Sequence, residues 1–162
     1  MFKTNDIVID YQGRKVAYIL LNGDPGYSAI TQHGLIAAPN DQSTNIQWYN
    51  GTYISTGATA TALGTGNANT NTIVASQGSG SYAAKLCYDL NLGGYNDWYL
   101  PSKDELMKLY LSKDLIGGFT SNDYWSSSES SSFDAWRQNF GLGNVFNYGK
   151  SALVSVRAIR SF

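Results

Sequence analysis

From Tyr124 to Arg160 a stiff frame alternates with runs of small polar and aromatic residues, and this alternation limits the fold more than any other feature. The frame reads Tyr124-Trp125-Ser126-Ser127-Ser128-Glu129, Ala135-Trp136, Gln138, Phe140, Gly143, Lys150 and Val156-Arg157-Ala158-Ile159-Arg160. Between its posts lie Ser130 to Asp134, Arg137, Asn139, Leu142 and the run from Asn144 to Gly149. Strand formers broken at short intervals by Gly, Asn and Ser predict short β-strands at 123–128, 135–140, 145–148 and 154–162. A frame that holds a fold while its neighbours present diverse side chains is what a recognition surface needs. The pattern points to a binder rather than a catalyst.

Upstream, Lys15 to Leu21 is rich in β-formers and reads as a first strand, closed by the turn Gly23-Asp24-Pro25-Gly26. Gly34 to Ala38 reads as a second strand and Ile46 to Tyr49 as a third, with Asn50-Gly51 a candidate hairpin turn. Asn50-Gly51-Thr52 also matches a glycosylation sequon, which carries little weight in this reading. From Thr56 to Gly80 charge almost vanishes and Thr, Ala, Gly, Asn and Ser dominate; Leu63, Ile73 and Val74 mark it as a long structured loop. A helix is then predicted from Ser79 or Ser81 to Leu92, stopped by Gly93-Gly94. A second begins at Ser102, where Ser102-Lys103-Asp104-Glu105 forms a capping box, with Leu106, Leu109 and Tyr110 as its buried stripe. It should end before Ile116-Gly117-Gly118. Strands, two central helices and strands again make an α+β plan, with one domain spanning 1–162.

Charge and chemistry exclude several classes. Eleven Lys plus Arg face 12 Asp plus Glu, without a basic run among aromatics, so a nucleic-acid footprint is missing. No apolar segment is long enough for membrane insertion, and the opening Met1 to Asp6 is too polar for a signal peptide. A lone cysteine, Cys87, gives neither an internal disulfide nor a thiolate metal site and is read as buried packing; the lone His33 is read as structural or superficial. Asp104 and Glu105 superficially resemble a catalytic pair, but adjacent helical residues diverge and acids suit a first turn anyway. Gly64-Thr65-Gly66 lacks the strand–helix context of a phosphate loop. Catalytic residues, cofactor and metal are all predicted to be none.

The run Gly94-Tyr95-Asn96-Asp97-Trp98-Tyr99-Leu100-Pro101-Ser102-Lys103-Asp104-Glu105-Leu106 resembles the signature of a bacterial family with a C-type lectin-like fold, best known as the C-terminal domain of a collagen-like adhesin. Tyr124-Trp125-Ser126-Ser127, Ala135-Trp136, the closing Val156 to Arg160, and upstream Gly23 to Tyr27 and Gln32 to Ala38 carry the same resemblance. It implies two helices packed on short, mostly antiparallel strands with long loops, a cell-surface, secreted or phage-particle setting, and a homo-trimer. Formylglycine-generating enzymes share the fold but need a reactive cysteine pair near the C-terminus, which this chain lacks. Calcium-dependent lectins use Glu-Pro-Asn and Trp-Asn-Asp motifs, whereas here Asn96-Asp97-Trp98 stands in another order and place.

The fold also resembles that of variable proteins of diversity-generating retroelements, in which adenines are randomised, typically in Asn-type codons. Such codons reach Ser, Phe, Tyr, Asp, Asn, Arg, Leu, Val, Gly or Ala, but not Glu, Gln, Lys, Met or Trp. Between Ser130 and Ser155 the residues outside that set, Trp136, Gln138 and Lys150, all fall on the frame. On this reading the ligand-binding residues are Ser130, Ser131, Phe133, Asp134, Arg137, Asn139, Leu142, Asn144, Phe146, Asn147 and Tyr148. Phe133, Arg137, Phe146 and Tyr148 would be anchors, because aromatic and Arg side chains dominate interface energy. For Phe133 and Phe146 a place in the core is the alternative. The partner expected is a protein receptor, with a fixed adhesin binding a surface glycan as the other reading.

Overall fold

In the computed structural model the described residues are 15–162; the polar opening Met1 to Asp6 lies outside them. Among them the order is β1 (Lys15–Ile19), β2 (Gly34–Ala37), β3 (Ser43–Ile46), α1 (Gly66–Gln77), α2 (Ala83–Tyr88), α3 (Lys103–Leu111), α4 (Lys113–Ile116), β4 (Asp123–Glu129), β5 (Asp134–Asn139), β6 (Val145–Gly149), β7 (Val154–Val156) and β8 (Ile159–Ser161). One sheet runs β1-β2-β8 and the other β3-β7-β4-β5-β6. Pairing is antiparallel except where β4 meets β7. This is a mixed α+β architecture compatible with the C-type lectin-like fold, with the helices between the first and last strands.

Several boundaries differ from the sequence reading, each for a physical reason. The largest difference is α1, which occupies part of the stretch read as a loop. Its buried residues Gly66, Asn69, Thr70, Ile73 and Gln77 recur at helical spacing but are mostly polar. They are satisfied by side-chain bonds: Asn69 donates to Ala60 O at 2.7 Å, Thr70 accepts from Leu100 N at 3.0 Å, and Gln77 accepts from Asn50 N at 3.0 Å. A search for an apolar stripe misses such a helix. The third strand lies earlier, at Ser43–Ile46, because Trp48 leaves the sheet to bury its ring and donate Nε1–H to Ser126 O at 2.8 Å. Asn50-Gly51 is not a hairpin turn, since Asn50 holds Thr52 N at 3.0 Å and the end of α1.

The helix through Cys87 is shorter than expected, ending at Tyr88, and Gly93-Gly94 instead turns the chain between the bridged residues Leu92 and Tyr95. Both glycines hold positive φ there, which favours Gly over any side chain. The second predicted helix splits at Ser112 into α3 and α4, so the central helices number four among the described residues rather than two. The 154–162 strand also divides: β7 joins one sheet and β8 the other. Arg157, in the bend between them, anchors the crossing by donating Nε–H to Asp41 at 2.7 Å and its remaining donors to Ala38 O, Pro39 O and Gly118 O.

The capping box forms as read. Glu105 N donates to Ser102 Oγ at 3.3 Å and Ser102 N to Glu105 Oε2 at 2.8 Å. Gly64 N donates to Glu105 Oε1 at 3.0 Å, so this buried carboxylate ties the approach to α1 onto the start of α3. Burial raises its pKa, while the backbone amides of Ser102, Gly64 and Gly66 pull the other way. A side chain enclosed and saturated in this manner is structural. Around it lie two core clusters, one centred on Trp48, Trp98 and Trp125, the other on Leu106, Leu109, Tyr124 and Phe140.

Candidate functional site

The β5–β6 hairpin carries most of the variable-looking residues. Its register sets Arg137 opposite Phe146 and Ala135 opposite Tyr148, while Trp136 faces Asn147 and Gln138 faces Val145. Because side chains alternate along a strand, Arg137, Phe146 and Tyr148 share one face and Trp136, Asn147 and Gln138 the other. The Arg137 guanidinium sits 3.9 Å from the Tyr148 ring centre and 4.6 Å from that of Phe146, a double cation–π stack. Its Nη1 lies 3.1 Å from Asp123 Oδ2, and Asp123 also accepts from Asn139 Nδ2 at 2.8 Å. Beside this pair a cleft of about 280 Å³ opens between Thr44, Asn122, Leu153 and Ser155. Arg137 Nε is buried there without a hydrogen-bond partner.

The remaining candidates divide by position. Ser130, Ser131 and Phe133 lie in the loop entering β5 and Asp134 opens the strand; there the Ser131 hydroxyl accepts from Phe133 N at 3.1 Å and Asp134 N at 3.0 Å. That turn leaves Phe133 60% exposed. At the hairpin's far end Asn139 Oδ1 accepts from Gly141 N and Leu142 N at 3.0 and 2.7 Å, so Asn139 spends its side-chain carbonyl on the turn and its Nδ2 on Asp123. Leu142 and Asn144 project from that turn, about 20 Å along β5 from Phe133. Asn147 is exposed on the opposite face from Arg137. The structure thus gathers Arg137, Phe146 and Tyr148, sets Phe133 at one end, and separates Asn147, Leu142 and Asn144 from them. Of the two phenylalanines whose place was open, Phe133 is exposed and Phe146 half-buried.

The frame residues turn inward. Gln138 and Phe140 are buried, and Phe140 packs its ring against Tyr110, Phe119 and Tyr124. Trp136 is only half-buried, 6.0 Å from Lys103 Nζ. Lys150 is fully enclosed: it pairs with Glu129 and donates to Ile54 O and Ser132 O, both at 3.0 Å. Burial would raise the Glu129 pKa, but the Lys150 ammonium and the Thr56 and Gly57 amides outweigh it and hold the carboxyl below its ordinary value. Gly143 adopts φ +83°, and a Cβ there would fall 2.6 Å from the Tyr110 hydroxyl. Gly143→Ala is therefore expected to lower stability by about 2 kcal/mol or more, read as a drop in the urea midpoint at unchanged slope.

Two neighbours of the site carry little local signal. In sequence Asp123 marks only the start of a strand, yet it orients Arg137; its role depends on register across the sheet. Tyr53, inside a polar loop, brings its ring 5.4 Å from that of Phe133, a contact across 80 positions that no local pattern announces. Cys87 is buried, and burial pushes its thiol pKa up, away from a reactive thiolate. His33 contacts Phe162 O at 3.1 Å. Among the described residues no three of His, Cys, Asp and Glu converge where a metal ion could sit, and no helix is long and apolar enough to cross a membrane.

Residues 38–160 match the family model of the Lcl C-terminal domain. Among curated proteins none matches. The match covers well over half the chain, from the residue after β2 to the middle of β8. The chain belongs to the Lcl C-terminal domain family, a family of C-type lectin-like binding modules.

Proposed function

We propose that this chain is a diversified receptor-binding protein, the variable protein of a diversity-generating retroelement, with its recognition face on the β5–β6 hairpin and the loop before it. One observation carries the reading. The candidate anchors of the hairpin and the loop before it, with Phe133 and Tyr148 exposed and Arg137 and Phe146 half-buried, consist entirely of residues that adenine randomisation of Asn-type codons can reach. The residues it cannot reach do scaffold work: Lys150 and Gln138 are buried, and Trp136 lies half-covered on the other face. A mechanism that rewrites only the first group would change the ligand and spare the fold.

Recognition follows from ordinary interface chemistry. Tyr148 and Phe146 supply broad contact area with few rotatable bonds, and Arg137 supplies donors on a side chain already immobilised by stacking and by Asp123. Holding these groups in place before binding lowers the entropy lost on association. A homo-trimer would multiply modest contacts through avidity.

Sequencing the DNA beside the gene tests the proposal. The expected result is a second copy of the segment encoding Ser130 to Ser155, differing at adenines alone, with a reverse-transcriptase gene nearby. Flanking DNA without such a repeat would overturn diversification and leave a fixed module, for which a glycan screen is the next measurement.

A further inference from the structure

We infer that Tyr53, on a loop outside the diversified segment, is a fixed anchor of the recognition face, and that it helps seat an uncharged apolar knob of a partner protein. The inference rests on the functional reading above and extends it to a part of the chain that adenine mutagenesis of the C-terminal segment would not touch.

The geometry is a relay of rings from core to solvent. Tyr49 packs against the Trp48 cluster, Tyr53 leans on Tyr49 at 4.6 Å, and Phe133 leans on Tyr53 at 5.4 Å. Exposure rises along the relay, to 42% at Tyr53 and 60% at Phe133. The loop under Tyr53 is braced throughout. Asn50 binds the end of α1, Thr56 N and Gly57 N donate to Glu129 at 2.9 and 3.1 Å, and Ile54 O receives Lys150 Nζ. The same ammonium holds Ser132 O, one residue before Phe133. One buried lysine therefore ties the fixed loop and the variable-looking loop into a single surface.

Shape and charge decide the occupant. Successive rings are inclined by 39° and 51°, which makes a notched ridge rather than the flat open plate on which a sugar ring stacks. The charges beneath, Glu129 and Lys150, cancel in the interior, and the Ser131 hydroxyl lies 3.3 Å from Asp134 at the rim. Nothing in the ridge attracts phosphate or an anionic surface. An apolar side chain is the complement of the rings, and the Asp134 carboxylate at the rim turns anions away.

The test needs no knowledge of the natural receptor. Phe133, Arg137, Phe146 and Tyr148 are randomised in a displayed library, and binders are selected against lysozyme as a model protein target. Tyr53→Ala is then placed in each selected clone, with Leu111→Ala, on the exposed side of α3, as control. Most clones are expected to weaken about tenfold or more with Tyr53→Ala, to hold with Tyr53→Phe, and to ignore the control. Thermal unfolding accompanies each variant; where Tyr53→Ala lowers the midpoint, Tyr53→Glu, which fills the volume but adds a charge, must weaken binding equally. Affinities unchanged to within about twofold would overturn the fixed anchor. A library that yields no binder would instead overturn the recognition face itself.

Discussion

Lys150→Met should destabilise the fold by about 3–5 kcal/mol in urea or guanidinium unfolding, among the largest effects of any single substitution here. Methionine fills nearly the same volume, so the loss is not a cavity. It is the stranding of Glu129, whose carboxylate is enclosed with Lys150 as its ionic partner, and of the carbonyls of Ile54 and Ser132. Removing one member of a buried pair leaves an uncompensated charge, whereas removing both is far milder. Lys150→Met with Glu129→Gln should accordingly recover part of the stability. If the double variant is as unstable as the sum of the singles, the pair is not coupled and this account fails.

The pH dependence carries a signed version of the same argument. In the native protein the Glu129 pKa is depressed, so its contribution is present above the unfolded carboxyl value of about 4.3 and is lost as pH falls through the folded value. Without Lys150, burial dominates and the carboxyl pKa should rise above the unfolded value. The sign then reverses, because the folded state now binds the proton more tightly. The stability gap between wild type and Lys150→Met should narrow on acidification, and a parallel pair of curves would refute it. Hydrogen exchange should also quicken in the Ile54 and Ser132 loops, since the ammonium that joins them is gone.

How far the sequence foretold this molecule depends on where each signal resides. The capping box at Ser102 and Glu105 is complete within four residues, and it forms as read. The short strands of the C-terminal segment announce themselves by β-formers between Gly and Asn turns, and their pairing follows. Helix α1 was illegible because its buried stripe is Asn69, Thr70 and Gln77, side chains whose partners lie elsewhere in the chain. The distinction between frame and variable positions was legible as composition, and Lys150 and Gly143 acquire physical reasons only in three dimensions. Tyr53 and Asp123 reach the site through long-range contacts and left no trace in local pattern.

Arg157→Ala should also lower stability by about 3–5 kcal/mol, while leaving the recognition face intact in the fraction that remains folded. The buried guanidinium uses one plane to meet Asp41, Ala38 O, Pro39 O and Gly118 O, and it lies 4.1 Å over the Phe119 ring. Alanine would orphan those carbonyls and leave Asp41 with the Tyr124 hydroxyl as its remaining hydrogen-bond donor among the contacts described. Arg157→Lys should rescue little, because a single ammonium cannot span acceptors arrayed for a planar fork. Near-wild-type stability in the lysine variant would show that charge alone is what matters there. Arg157 joins the β7–β8 crossing to segments remote from the hairpin, whereas Lys150 underlies the loops that carry Tyr53 and Phe133. Displayed clones measured well below their unfolding midpoints should therefore keep their affinity with Arg157→Ala and lose it with Lys150→Met. That divergence would separate the residues that hold the fold from those that also hold the face.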